Sequence, residues 1–337
     1  MARETWDVVI VGAGPAGLNA ALILGRATRR VLLCDSGTPR SWASKAMYGF
    51  VTRDGVSPTE FRRLAREELK RYPNVAICDA EVTGAERDGE RGFFVKVGAR
   101  RRVKCRKVLI ATGVLDVLPA IDGIELFFGT SVFQCPYCDG WEFRDRALAA
   151  YGKRRHGLEM ARALTSWSGD VALCTDGPAQ LSATDLAQLR RNGITLFEDR
   201  IAGLVGKQGT LRAIRFRNGE MLRREALFFD MPTRAQSRLS ESLGCQQARH
   251  GRIKCGKYEA TSVPGVFVAG NIIQDVQLAI VAAAEGARAA FGINGALTRE
   301  DFERKSKNRH RIDHPPLRDA KMERRRGHVP VRSHRRA

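Results

Sequence analysis

Two cysteines separated by two residues, Cys135-Pro136-Tyr137-Cys138, followed by Asp139-Gly140, carry the strongest chemical signal in this sequence. A CxxC pair closes a disulfide across a tight turn. Local stabilisation of one thiolate makes it a nucleophile near neutral pH, and the other thiol resolves the mixed disulfide by exchange. Asp139 is placed to give or take the proton that dithiol–disulfide interchange requires. The competing chemistry is zinc, which usually needs four nitrogen or sulfur ligands. No second CxxC exists, and Cys34, Cys78, Cys105, Cys174, Cys245 and Cys255 stand singly. Cys34 and Cys174 end apolar runs and read as core residues. His156 and His250 lack ligand spacing. The balance favours redox chemistry, with no metal site expected.

Such a pair needs an electron partner, and the first forty residues offer a place for one. The apolar run Trp6–Val11 leads into Gly12-Ala13-Gly14-Pro15-Ala16-Gly17, then a helical stretch, then Val31–Cys34 and Asp35. This reads as strand, glycine turn, helix and strand closed by an acid, the pattern of a dinucleotide site. Gly12 allows the tight turn, Gly14 lets backbone approach a pyrophosphate, and Gly17 lets helix and strand pack closely. The helix N-terminus faces the phosphates, and Asp35 is placed to accept from ribose hydroxyls. A helix is expected near Pro58–Tyr72, with strands near Val75–Asp79, Phe93–Val97 and Lys107–Ile110. Leu118-Pro119 and Asp122-Gly123 read as a linker. A second strand, turn, helix and strand begins at Leu148 and runs through Gly152, Gly157 and Val171–Cys174. The last elements are a strand at Val266–Val268 and a helix over Gln277–Ala290.

With 337 residues, 43% hydrophobic and 28% charged, the chain suits about two globular domains. No run of eighteen apolar residues occurs, so no transmembrane helix is expected. The N-terminus enters a strand pattern at once, without the order of a signal peptide, which places the protein in the cytoplasm. The net charge of +20 suggests nucleic acid, but half the excess lies from Arg304 to Ala337, where thirteen Lys and Arg face three Asp and Glu. That segment lacks apolar periodicity and reads as a solvated, disordered tail. Membrane and nucleic-acid partners are therefore not expected, the basic tail aside.

Four motifs in order, GAGPAG at Gly12–Gly17, IATG at Ile110–Gly113, CPYCDG at Cys135–Gly140 and TSVPGVFVAGN at Thr261–Asn271, resemble low-molecular-weight thioredoxin reductases. These belong to the FAD-dependent pyridine nucleotide–disulfide oxidoreductases. The resemblance runs to about Leu297. It implies an α/β fold of two Rossmann-like, three-layer domains, the second inserted into the first. Residues 1–117 with 245–300 would bind FAD, 118–244 would carry the CxxC and an NAD(P)H site, and 301–337 would form the tail. It also implies FAD contacts from Gly12, Gly14, Pro15, Ala16, Gly17, Asp35, Ala111, Thr112, Gly113, Gly270, Asn271, Gln277, Leu278 and Ala279. Cys138 would face the flavin and Cys135 would meet the substrate. A homodimer and a thioredoxin-like protein or small-molecule dithiol or disulfide partner follow by the same resemblance.

Several positions depart from the pattern. The second turn reads Gly152-x-Arg154-x-x-Gly157, so a long side chain stands where backbone meets pyrophosphate in the possible NAD(P)H site. It blocks the site or meets phosphate differently. Asp176 stands where a basic cluster recognises a 2′-phosphate, and would repel it. Asn271 replaces an aspartate toward the ribityl chain, keeping an acceptor oxygen. The CPYCDG motif with Trp141-Glu142, and Asp275–Ala279, resemble a branch that includes gliotoxin- and holomycin-type dithiol oxidases, which dispense with NADPH. A histidine that often precedes the first cysteine in that branch is here Gln134, which cannot act as a base. Three functions are open to this set. The first is a flavin-linked thiol–disulfide oxidoreductase of thioredoxin reductase type. The others are an oxygen-dependent dithiol oxidase and a degenerate flavoprotein with a binding role.

Overall fold

The computed structural model describes residues 5–89, 92–248, 252–273 and 276–313. His250, Asp275 and the segment 314–337 lie outside the described residues. The chain divides into two compact units, residues 1–294 and 295–337, and the sheets described here belong to the first.

The chain begins with β1 (Thr5–Val11), α1 (Pro15–Arg26), β2 (Val31–Cys34), α2 (Pro58–Leu69) and β3 (Val75–Cys78). It continues through β4 (Val82–Arg87), β5 (Phe93–Val97), β6 (Arg101–Ile110) and β7 (Val114–Asp116). Next come β8 (Val132–Phe133), α3 (Pro136–Asp139), β9 (Leu148–Tyr151), α4 (Arg154–Leu164), β10 (Val171–Cys174), α5 (Ala183–Arg191) and β11 (Thr195–Phe197). The antiparallel β12 (Ile201–Lys207), β13 (Thr210–Phe216) and β14 (Met221–Arg223) precede β15 (Ala226–Phe229). β16 (Thr233–Ala235), α6 (Leu239–Ser242), β17 (Val266–Val268) and α7 (Ala279–Asp313) complete the described elements.

Among the described residues, one sheet of seven strands runs β3-β2-β1-β6-β5-β4, with β17 joined to β6. β1, β2, β3 and β17 are parallel within it, and β4 and β5 form an antiparallel edge. A second sheet of five parallel strands runs β11-β10-β9-β15-β8. Since β17 returns to the first sheet after the second is complete, the second α/β unit is inserted into the first. β2, β10 and β15 are buried at every position, as parallel strands covered on both faces must be.

Alternation sorts the second sheet's side chains onto its two faces. Phe133, Leu148, Ala150, Leu173 and Phe228 pack with Leu158, Ala161 and Leu164 of α4. Val132, Ala149, Cys174, Leu227 and Phe229 pack with Leu211, Ile214 and Phe216 of the three-stranded sheet. Each fully buried Phe adds roughly 1.5–3 kcal/mol. Burial pushes the Cys34, Cys105 and Cys174 thiols up to about 12, so these are inert core groups.

Two boundaries differ from expectation. α2 ends at Leu69, before Tyr72. α7 starts at Ala279 rather than Gln277 and runs well past Ala290, to Asp313, into the segment read as disordered. Lys, Arg and Glu are good helix formers, and Asp301 pairs with Arg304 one turn on at 3.2 Å. Missing apolar periodicity rules out core burial of that segment, not helix formation.

Candidate active site

Cys135 and Cys138 form a disulfide with a Cα–Cα separation of 5.2 Å. β8 delivers the chain to Cys135, Pro136 starts α3 with a φ suited to helix, and the Cys138 amide donates to Cys135 Sγ at 3.1 Å. Asp139 closes that turn. Burial first, and the neighbouring Glu142 second, raise its carboxyl to about 7. Glu142 Oε2 is itself buried without a hydrogen-bond partner. Tyr48, from the loop between β2 and α2, is raised by burial and then by Glu142, Asp139 and Asp54.

The disulfide opens onto a cavity of about 1020 Å³, at the upper end of small-ligand sites of roughly 300–1,000 Å³. Gly12, Gly14, Pro15, Ala16, Asp35, Ala111, Thr112 and Gly113 line one part of it. Gly270, Asn271, Gln277, Leu278, Ala279, Cys135, Cys138 and Asp139 line it too. Gly17 lies behind the wall, where a Cβ would fall 1.9 Å from the Gly12 carbonyl oxygen. Gly12 has φ +107°, and a Cβ on Gly14 would meet nothing within 4 Å. The turn is thus tight at its first glycine, open at its second and closely packed at its third. Asp35 accepts from Arg62 at 2.5 Å, Arg66 at 3.0 Å and the Gly37 amide at 3.0 Å. A carboxylate offers about four acceptor positions, so one remains for a hydroxyl.

Residues 6–286 match the sequence pattern of the pyridine nucleotide-disulphide oxidoreductases. The chain belongs to that family. Thioredoxin reductase tcpT from Claviceps purpurea is 32% identical, over 79% of this chain and 86% of its own. The solved structure of HlmI is 34% identical with a TM-score of 0.88, covering 92% of this chain and 98% of that one. Putative thioredoxin reductase TrxB from Bacillus anthracis is 32% identical with a TM-score of 0.84, covering 88% of this chain and 100% of its own. Membership makes the protein an oxidoreductase and implies FAD and NAD(P)H.

The cavity wall fits the flavin nucleotide. Thr112 Oγ1 and Gln134 Nε2 are buried on it without hydrogen-bond partners, an arrangement that calls for a polar ligand.

The family's second nucleotide turn is a different matter. Gly152 and Gly157 repeat the close packing of the first turn, a Cβ on Gly157 falling 2.2 Å from the Gly152 carbonyl oxygen. Between them, Arg154 takes φ +53°, a left-handed conformation costing on the order of 1 kcal/mol for a side chain. Its amide donates to the Ala179 carbonyl at 2.9 Å and its Nε to Gln180 Oε1 at 2.5 Å. The strand-to-helix segment after β10 therefore folds back over the start of α4. Gly152, Arg154 and Gly157 do not line the cavity, while His156 does. Asp176 accepts from the Ile201 amide at 2.8 Å and faces Arg200 at 3.6 Å, a structural use of its charge.

Several cavity residues escaped the sequence reading. Arg40 donates to both Asp116 oxygens, to Gln134 Oε1 at 2.8 Å and to Gln277 Oε1 at 2.6 Å. One guanidinium thus ties the residue before Cys135 to two distant stretches of chain. Arg252 donates to the Asn271 carbonyl and to Thr233 Oγ1. Its pKa is lowered by burial and then by Arg40. Neither arginine lies in a periodic or motif-bearing stretch, so spacing offered no signal for them. Asp230 bonds His156 on the cavity wall. Among the described residues no group of three or more His, Cys, Asp or Glu is placed to hold a metal ion. No helix among them is long and apolar enough to cross a membrane.

Proposed function

We propose that this protein is an FAD-dependent thiol–disulfide oxidoreductase that takes electrons from a dithiol through Cys135–Cys138 and works without a nicotinamide nucleotide. The observation that carries this reading is the second turn: Ala179 accepts from the Arg154 amide and Gln180 from its Nε at the start of α4. A helix N-terminus binds pyrophosphate through free amides and close backbone approach, and here a side chain and a folded-back segment take that place.

FAD is assigned to residues 1–117 and 245–300, and the exchanging disulfide to residues 118–244. Gly12, Gly14, Pro15 and Ala16 would face its pyrophosphate, with Gly17 holding helix to turn and Asp35 toward the ribose. Ala111, Thr112, Gly113, Gly270, Asn271, Gln277, Leu278 and Ala279 would complete its wall. When bound, FAD would supply a two-electron store for the exchanging disulfide. Cys135 meets the substrate, and Asp139, neutral up to about 7, holds or returns a proton at the cysteine sulfurs. A small-molecule dithiol or a thioredoxin-like dithiol protein is the donor, and oxygen is the acceptor that regenerates the oxidised state. A cytoplasmic homodimer belongs to the same reading. The disulfide beside an open cavity weighs against a purely binding role.

Anaerobic titration of the yellow holoenzyme tests this. NADPH and NADH are expected to leave the flavin band intact, and a dithiol to bleach it, with air restoring colour and forming hydrogen peroxide. Stoichiometric bleaching by either nicotinamide overturns the proposal.

A further inference from the structure

Oxidising a dithiol removes two protons as well as two electrons, and the residue before Cys135 cannot accept one. Gln134 has no basic atom, and its carbonyl oxygen is held by Arg40 at 2.8 Å. The topology offers a replacement. β8, β15 and β9 are adjacent parallel strands, with Phe133 opposite Phe228 and Phe229 opposite Tyr151. These neighbouring strands, spaced about 5 Å apart, lead the chain into Cys135, Asp230 and Gly152 respectively just past β8, β15 and β9. His156 follows Gly152 at the start of α4, and its Nδ1 lies 2.8 Å from Asp230 Oδ2. Cys135, Cys138, His156 and Asp230 all line the one cavity.

We propose that His156, aligned by Asp230, is the base that takes the first proton from a dithiol attacking Cys135, so that the degenerate nucleotide turn has become part of the substrate site. This rests on the reading that a dithiol is the electron donor. A carboxylate only accepts hydrogen bonds, so Nδ1 carries the hydrogen, and in the neutral ring Nε2 keeps a lone pair for the thiol. The His156 side chain is 73% exposed, which lets it hand the proton to water. The closed second turn leaves it no nucleotide to serve.

The step balances. Nε2 takes the thiol proton, and the substrate thiolate forms a bond to Cys135 Sγ. The Cys135–Cys138 bond breaks, with the electron pair leaving on Cys138. Cys138 takes the proton that the neutral Asp139 carboxyl holds. The carboxylate so formed takes the proton of the second substrate thiol, which attacks the mixed disulfide and releases Cys135 as a thiolate. The substrate is oxidised by two electrons and the enzyme disulfide is reduced by two.

The test is stopped-flow anaerobic bleaching of holoenzyme by dithiothreitol, with parent, His156→Ala and Asp230→Asn. His156→Ala is expected to slow bleaching about 100-fold, with FAD content unchanged, and added imidazole to restore the rate in proportion to its concentration. Asp230→Asn is expected to slow it about 10-fold, in line with the loss of an orienting group. A His156→Ala protein that bleaches at the parent rate, or one slowed but deaf to imidazole, overturns the proposal. Parent enzyme that no dithiol bleaches defeats the dithiol-donor reading itself, and the proposal with it.

Discussion

Replacing Glu142 by Gln is expected to lower the apparent pKa of Asp139. Asp139 rises from an ordinary carboxyl value of 3.8 to about 7, through burial first and Glu142 second. That rise corresponds to roughly 4 kcal/mol of preference for the neutral acid, at about 1.4 kcal/mol per pH unit. Burial holds the larger share, so Glu142 supplies less than about 2 kcal/mol, or roughly one pH unit. Tyr48 feels the same two carboxyls, its pKa raised by burial and then by Glu142, Asp139 and Asp54. Removing the Glu142 charge favours the Asp139 carboxylate, so its titration moves down, by at most about one pH unit. The assay is the infrared band of the protonated carboxyl, assigned as the one missing in Asp139→Asn and followed from pH 4 to 9. An Asp139 band that titrates near 4 in the parent refutes the reasoning. So does a Glu142→Gln band that stays in place or moves upward.

Three further outcomes follow from the same geometry. The folded state holds the Asp139 proton more tightly than the unfolded state, so between about 4 and about 7 its contribution to stability falls as pH rises. Denaturant unfolding of Asp139→Asn at pH 5 and pH 8 is expected to lack a decline, of about 3 kcal/mol, that the parent shows. Gly17→Ala places a Cβ 1.9 Å from the Gly12 carbonyl oxygen. It is expected to cost about 3 kcal/mol, read as loss of FAD from purified protein and a lower Tm. Arg40→Met leaves the Asp116 carboxylate, only 10% exposed, without its bidentate partner. A loss of about 2–3 kcal/mol is expected by denaturant unfolding, and an unchanged midpoint contradicts it.

The two nucleotide turns show what the sequence can and cannot express. Strand, turn, helix and strand were legible in both, because continuous apolar runs and helical periodicity report burial directly. Gly12 and Gly17 were legible with their jobs, since only glycine survives a tight turn and a close backbone approach. Arg154 was legible as a departure, but not its consequence. A left-handed arginine bonded to Gln180 depends on how the segment after β10 folds back, which no spacing rule encodes. Arg40 was invisible for the same reason, its partners Asp116, Gln134 and Gln277 lying 76, 94 and 237 residues away. Asp176 carried the right sign of charge for excluding a phosphate, yet its charge goes to an amide and an arginine of its own unit.

The pairing of strands turns that departure into a functional argument. In an open parallel sheet, ligands gather outside the carboxyl ends of the strands. β8, β15 and β9 lead there into the disulfide, Asp230 and the second turn. A turn that bound a nicotinamide would set His156 beside that cofactor. A turn closed by Ala179 and Gln180 leaves the imidazole facing the cavity of the disulfide instead. On the proposed reading, loss of one cofactor and gain of a base would be two results of the same local refolding. Reopening the turn by the Arg154→Gly and Gln180→Gly exchanges together addresses both halves at once. If the closure alone excludes nicotinamide, the double variant binds NADPH measurably by calorimetry while the parent does not. The Ala179 carbonyl still holds the amide of residue 154, so the affinity gained is weak, near a Kd of 1 mM or about −4 kcal/mol. Equal, tight binding by parent and variant would remove the closed turn from the argument.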